Sequence, residues 1–354
     1  MCEHQFERSS CGWKGLWEDQ ERGDGSIIRL IDNTLTSFDH NLPSGEDLHA
    51  FSELLFTIGV DAVELSVKAY EKMEYLPDSR KFILDIDIAE DRSYYPGFYR
   101  YVCHQETNED GLIYELQMND TREIVKLRAL RGCKEIRIVG MDDLMCHDSY
   151  ERYFNEIIHF LPRSTIILCP ENTYGCASAI AMQWATEYGS NITTSFAGCR
   201  NNAATEEVLM ALRLAVRYKP GRDLTVFPEL TALYEKFTGK AIGNKKPIIG
   251  KNIFKVEAGI HADGIKKNPA TYEAYDPGMV GGRTELIIGK HSGRRAIVLK
   301  LEELEIPVPP EKIVDNILKY IKAVCTENRK SLSDAEFIEL VKEVADHEGE
   351  EAHR

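Results

Sequence analysis

Residues 165–196 read TIILCPENTYGCASAIAMQWATEYGSNITTSF, and they hold one full cycle of the pattern that decides the fold. Thr165–Leu168 is a short apolar run rich in β-branched residues. Ala177, Ile180, Ala181 and Trp184 then fall on one face of a helix. Ile192–Phe196 returns to a strand-like run. Short, continuous apolar runs, as opposed to alternating ones, are what strands buried on both faces of a parallel sheet require. Working outward, the same kind of run recurs at Ile27–Leu35, Ala62–Val67, Phe82–Ile88, Leu112–Met118, Glu135–Val139 and Ile253–Glu257. Between them lie helical patterns, among them Val208, Leu212, Ala215 and Val216 on one face. Eight strands alternating with helices predict an α/β protein, a (β/α)8 TIM barrel over residues 27–260. A doubly wound sheet carries the same local signal. The interval between the third and fourth runs, about residues 89–111 with Tyr94, Tyr95, Pro96 and Tyr99, is the least clearly patterned.

The flanks differ. Residues 1–26 read as a polar arm with two tryptophans. Residues 261–354 read as a linker and a small α-helical C-terminal subdomain. Pro269–Gly282 is irregular; Glu311–Cys325 places Ile313, Ile317, Leu318, Ile321 and Val324 on one side. Ser333-Asp334-Ala335-Glu336 is a capping box opening a last helix.

Composition excludes several classes. No stretch approaches 18 apolar residues, so no helical membrane span is expected, and the start of the chain lacks the basic-then-apolar order of a secretory signal. Nine cysteines without a repeated spacing point to reduced thiols and a cytoplasmic protein. A net charge of −15 argues against nucleic acid or an anionic membrane as partner. A local basic turn at Arg283–Arg295 still permits an anionic small molecule.

Three further segments carry a resemblance. The longest runs Lys246-Pro247-Ile248-Ile249-Gly250-Lys251-Asn252-Ile253-Phe254, then Glu257-Ala258-Gly259-Ile260-His261-Ala262-Asp263-Gly264. It continues through Asn268-Pro269-Ala270-Thr271-Tyr272-Glu273 to Gly289-Lys290-His291-Ser292-Gly293. The others are Asn202–Leu212 and Ile31-Asp32-Asn33-Thr34-Leu35. Together they resemble the homocitrate synthase, 2-isopropylmalate synthase and citramalate synthase family over residues 27–300, at the length of members without a regulatory domain. The resemblance implies a barrel and a Claisen condensation of acetyl-CoA with a 2-oxo acid. It also implies that His261 and Tyr272, on a segment that crosses to a neighbouring subunit, assist proton transfer at the thioester. Asp263 belongs to the same motif. Glu64 matches an acidic position of the family, or is a plain rim carboxylate. The turn Gly289, Lys290, His291 suits a carboxylate or phosphate of the acyl-CoA, or is structural.

The barrel departs from the pattern where the family binds its metal. The family's Leu-Arg-Asp-Gly-Glu-Gln reads Leu35-Thr36-Ser37-Phe38-Asp39-His40 here. His-x-His-Asn-Asp reads Cys169-Pro170-Glu171-Asn172-Thr173, and Gly-Glu-Arg-Ala-Gly-Asn reads Ala197-Gly198-Cys199-Arg200-Asn201-Asn202. The histidine before the eighth-strand Glu is Val256. A Lewis-acid site for a 2-oxo acid needs an anion and neutral imidazoles. Cys169 and Glu171 are the weak substitutes present. With the barrel centre altered and the trans-acting segment kept, the resemblance is to an omega-type subunit of a split homocitrate synthase of the nitrogen-fixation type. It implies a hetero-oligomer with a partner barrel carrying intact ligands. Acetyl-CoA and 2-oxoglutarate are the expected substrates, Mg2+ or Mn2+ is expected on the partner, and the homocitrate would serve iron–molybdenum cofactor biosynthesis. The alternatives are a self-sufficient synthase or lyase with a rearranged metal site, and a non-catalytic regulatory paralogue.

Overall fold

The computed structural model describes residues 28–352, so the arm expected at 1–26 lies outside the described residues. The chain divides into two compact units near Gly243–Gly250, earlier than the boundary expected at 260.

The first unit is a closed barrel of eight parallel strands in sequential order. They are β1 (Arg29–Asp32), β2 (Ala62–Ser66), β3 (Phe82–Ile86), β4 (Arg100–Cys103), β5 (Leu112–Met118), β6 (Glu135–Gly140), β7 (Thr165–Pro170) and β8 (Asn191–Thr194). Strand β8 pairs back to β1, with Ile31 opposite Thr193, and so closes the sheet. The helices are α1 (Gly45–Ile58), α2 (Val67–Met73), α3 (Tyr150–Phe160), α4 (Ala177–Gln183), α5 (Thr205–Val216) and α6 (Phe227–Thr238). Local chemistry sets their ends. Ser44 accepts from the Asp47 amide at the start of α1, and Gly59, at φ 111°, ends it.

Two expectations are corrected. The strand expected at Ile253–Glu257 is not a barrel strand. Only Lys255–Val256 is extended, as β9, and it pairs with β10 (Glu285–Leu286) in the second unit. The barrel takes instead β4, from the 89–111 interval. No α-helix joins β3 to β4 or β4 to β5; a 3-10 turn, Ala89–Ser93, and the loop 104–111 make these crossovers. On α5, Val208 and Leu212 are buried as expected, but Ala215 and Val216 are exposed; Leu209 and Met210 complete the buried face.

Register places the functional layer. Ile31, Ala62, Ile83, Val102, Ile113 and Ile167, one from each of six strands, pack into a single inner layer. Side chains two residues apart share a face. The next inward layer, toward the C-terminal ends of the strands, is therefore Asn33, Glu64, Asp85, His104, Glu115 and Cys169.

The second unit holds β9, β10 and the helices α7 (Gly259–Lys267), α8 (Arg294–Glu303), α9 (Glu311–Asn328) and α10 (Asp334–Ala352). Its core joins Ile297 and Leu301 of α8, Val314, Ile317 and Ile321 of α9, and Phe337 and Val341 of α10. The capping box forms: the Glu336 amide donates to Ser333 Oγ at 3.3 Å, and the Ser333 amide to Glu336 Oε2 at 2.8 Å. Helix α7 crosses α8 at backbone contact. A Cβ on Gly259 would sit 2.4 Å from the Ala296 nitrogen, so that position accepts only glycine.

Candidate functional site

In the barrel, the inner polar layer is a chain of ion pairs. Arg137, 1% exposed, is held from two sides. Its Nη1 and Nη2 both donate to Glu64, the latter at 3.0 Å, and its Nη2 also reaches Glu115 Oε2 at 2.6 Å. His104 continues the chain, with Nε2 3.2 Å from Asp85 Oδ1 and Nδ1 3.3 Å from Glu115 Oε1. Hydrogen bonds to Asp85 and Glu115 raise the His104 imidazole to about 10, so it is a cation at neutral pH. Burial opposes ionisation of Glu115, but Arg137 and His104 overcome it and hold its carboxyl down to about 2. Glu64 is fully buried. Burial pushes its carboxyl up against the opposing pull of Arg137. It is therefore neither a rim carboxylate nor a free base, but the anchor of a buried guanidinium.

The segments around the positions where the resemblance implies ligands are bonded within the fold. Asp32 points away from the barrel interior, fully buried, and accepts from Thr205 Oγ1 at 2.5 Å and the Thr34 amide at 2.9 Å. Burial outweighs these bonds and raises it to about 6. The segment after β1 is tied to the turn after β8: Ser195 Oγ donates to Asn33 Oδ1 at 2.6 Å, and Arg200 Nη1 to Thr36 Oγ1 at 2.5 Å. Ser37 Oγ is buried with no hydrogen-bond partner among the described residues. Phe38 stacks edge-on against Phe237 at 5.4 Å.

A divalent metal does not fit these residues. Among the described residues no group of three or more His, Cys, Asp or Glu side chains is arranged to hold one. Cys169 is buried, and burial pushes its thiol up to about 12. Glu171 accepts from Gln117 Nε2 at 3.2 Å. Cys169 is on β7 and Glu171 just past its end, and among the described residues nothing completes a ligand set around them.

The second unit is different. His261, on α7, and Tyr272 lie beside each other, ring centroids 5.7 Å apart at 48°. Both are exposed, Tyr272 by 46%. Gly264 makes this possible, because a Cβ there would stand 2.3 Å from the Tyr272 ring. Asp263 does not face the pair's chemistry as a free carboxylate. Its Oδ1 accepts from Arg295 Nη2 at 2.6 Å, and its Oδ2 pairs with Lys267 at 2.6 Å. Bonds from Lys267 and Arg295 hold it down to about 2. It pins α7 to α8 and so positions His261. Gly289 packs on Glu257, whose Oε1 accepts the His291 amide at 2.6 Å; the Lys290 side chain is exposed. Asp85, His104, Glu115, Arg137 and Glu257 were missed in the sequence. The available signal for the barrel residues was the two-residue step beyond the inner apolar layer.

A closed parallel barrel followed by a separate helical module bearing a His–Tyr pair has the build of an aldolase-type synthase. Comparison with known proteins is more specific. Residues 248–329 match the family model described as "Homocitrate synthase post-HMGL domain-like". The chain is 30% identical over 351 residues to the homocitrate synthase omega subunit of Clostridium pasteurianum, covering 90% of this chain and 97% of that one. It is 39% identical over 149 residues to homocitrate synthase AksA of Methanopyrus kandleri (42% of this chain, 37% of that one). To 2-isopropylmalate synthase 2 of Caldanaerobacter subterraneus it is 28% identical over 296 residues (81% and 74%). The chain belongs to the homocitrate synthase / 2-isopropylmalate synthase family. No helix among the described residues is long and apolar enough to cross a membrane.

Proposed function

We infer that the chain is the complementing subunit of a heteromeric homocitrate synthase. It lends His261 and Tyr272 to a partner barrel that holds the divalent metal and the 2-oxo acid. The observation that carries this reading is the contrast between the units. His261 and Tyr272 are adjacent and exposed, whereas the barrel's inner carboxylates are spent on Arg137 and His104. Near-full-length similarity to an omega subunit supports it. Following the resemblance to the nitrogen-fixation type, this reading has the product serve iron–molybdenum cofactor biosynthesis.

The reaction on this reading is acetyl-CoA plus 2-oxoglutarate plus water giving homocitrate and CoA. A carbon–carbon bond forms between the acetyl methyl and the keto carbon, and the thioester C–S bond is then hydrolysed. His261 takes the methyl proton, which ends on the new alkoxide. The Tyr272 hydroxyl donates a hydrogen bond to the enolate oxygen. General acid–base groups of this kind contribute about 100- to 10,000-fold.

The test is acetyl-CoA consumption with 2-oxoglutarate and Mg2+ or Mn2+, for the chain alone and mixed with a family member carrying intact ligands from the same source. Activity is expected only in the mixture, and His261→Ala is expected to lower it by roughly 100-fold or more. Full activity of the chain alone, or indifference of the mixture to His261→Ala, overturns the reading.

A further inference from the structure

We propose that the second unit carries a phosphate-binding cleft, between the turns 289–293 and 329–331, that takes the 3′-phosphate of a coenzyme A thioester. The two turns are distant in sequence and locked side by side. Ile288 and Leu332 form an antiparallel bridge, the Leu332 amide donating to the Ile288 carbonyl at 2.8 Å. A cleft of about 430 Å3 lies against them, lined by Glu257, Lys290, Thr326, Arg329, Lys330 and Ser331 among others.

Its charge is positive. Among the described residues neither Lys290 nor Arg329 has an ion-pair partner, and Lys330 shares one carboxylate, Glu336, at 2.6 Å. The one acid in the lining, Glu257, offsets one of these cations, and its Oε1 accepts the His291 amide at 2.6 Å. Glycine at 289 lets the turn approach that carboxylate, since a Cβ would lie 2.3 Å from Oε1 and 2.9 Å from Ser331 Oγ. The Gly289 amide donates to Ser292 Oγ at 3.0 Å, and that hydroxyl to the Glu257 carbonyl at 3.1 Å, so the turn is rigid.

A cation at the C-terminus of α9 is favourable in its own right, which accounts for the sign of Arg329. It does not account for Lys290, brought to the same cleft by a different turn built on a glycine contact. A guanidinium fork, two ammonium groups and the Ser331 hydroxyl suit a phosphate monoester, which carries about −1.5 to −2 charges. Coenzyme A is the source favoured because Glu257, which anchors the turn, lies only four residues before His261. Their Cα atoms are thus at most about 14 Å apart. This choice of ligand rests on the acyl-CoA reading above.

The test is calorimetric titration of the full chain with CoA, with dephospho-CoA, which lacks the 3′-phosphate, and with inorganic phosphate. The variant is Lys290→Ala with Arg329→Gly, the glycine suiting the left-handed backbone there (φ 52°). Two results are expected: tenfold or weaker CoA binding by the variant, and tenfold or weaker binding of dephospho-CoA by the unaltered chain. Equal affinities in either comparison overturn the cleft. Inorganic phosphate binding as tightly as CoA, and lost in the variant, overturns the coenzyme as its ligand. Condensation in the mixed assay is scored separately. The cleft stands on binding even if no mixture turns over, and falls on binding even if the mixture is active.

Discussion

Replacing Glu64 by glutamine, and Arg137 by methionine, separates a structural carboxylate from a catalytic one. Glu64 is 0% exposed and bound by both terminal nitrogens of Arg137; Arg137 also holds Glu115 at 2.6 Å. Removing one partner of a buried ion pair costs about 3–5 kcal/mol, because the survivor is left charged and out of water. Glu64→Gln keeps the side-chain shape and leaves Arg137 its second anion, which puts the loss at the lower end, about 3 kcal/mol. Arg137→Met leaves Glu64 without a cation and belongs at the upper end, about 5 kcal/mol. For a domain of this size each kcal/mol moves Tm by roughly 2–4 °C. The expected drops are therefore roughly 6–12 °C and roughly 10–20 °C. The double variant removes both charges of the pair and is expected to fall short of the sum. Thermal unfolding followed by circular dichroism on the full chain reads all three. Homocitrate formation in the mixed assay, run well below the transitions, is expected to survive Glu64→Gln. A Glu64→Gln chain that melts like the unaltered one but silences the mixture would refute the structural assignment and make Glu64 a catalytic residue.

Two further outcomes follow from the same geometry. His104 is raised to about 10 by Asp85 and Glu115, so its contribution to stability is complete below its ordinary value of 6.5 and is lost as pH climbs through 10. Tm is expected to fall between those limits, and His104→Gln to flatten that fall; parallel curves for the two chains would contradict it. Gly264→Ala puts a methyl into the space of the Tyr272 ring, so the ring must leave His261. Alanine favours the helix by about 1 kcal/mol over glycine, so the fold is kept. Mixed activity is expected to fall roughly 10- to 100-fold, and an unchanged rate at unchanged stability would sink the His–Tyr assignment.

The barrel was legible because its strands are buried on both faces and so read as unbroken apolar runs. Seven of the runs read as strands belong to it. The failures have physical causes. Strand β4 is four residues long, begins with an arginine that pairs with Glu135, and is flanked by loops instead of helices, so neither periodicity surrounds it. Ile253–Glu257 has the composition of a strand, but its backbone finds only Glu285–Leu286 to pair with. Composition tells that a segment can be extended, not which sheet will supply its hydrogen bonds.

The candidate site was legible only in part. His261 and Tyr272 were singled out through motif order, and they lie exposed, beside one another, over a glycine. The barrel's ion-pair chain was missed because its members sit on five strands, with no local spacing to link them. They converge only once the register is known, two residues beyond the apolar layer of Ile83, Val102 and Ile113. That layer also explains how the barrel closes with no metal-ligand cluster among the described residues. Closure depends on the apolar ring below, whereas the polar layer above must only find partners. Glu64 and Glu115 are bonded to Arg137, and Asp85 and Glu115 to His104, so each carboxyl of the layer has a cationic partner. A rim built in this way has its polar side chains bonded to one another. Its chemistry is then to be sought where side chains remain unspent, on α7 and the turns beside it.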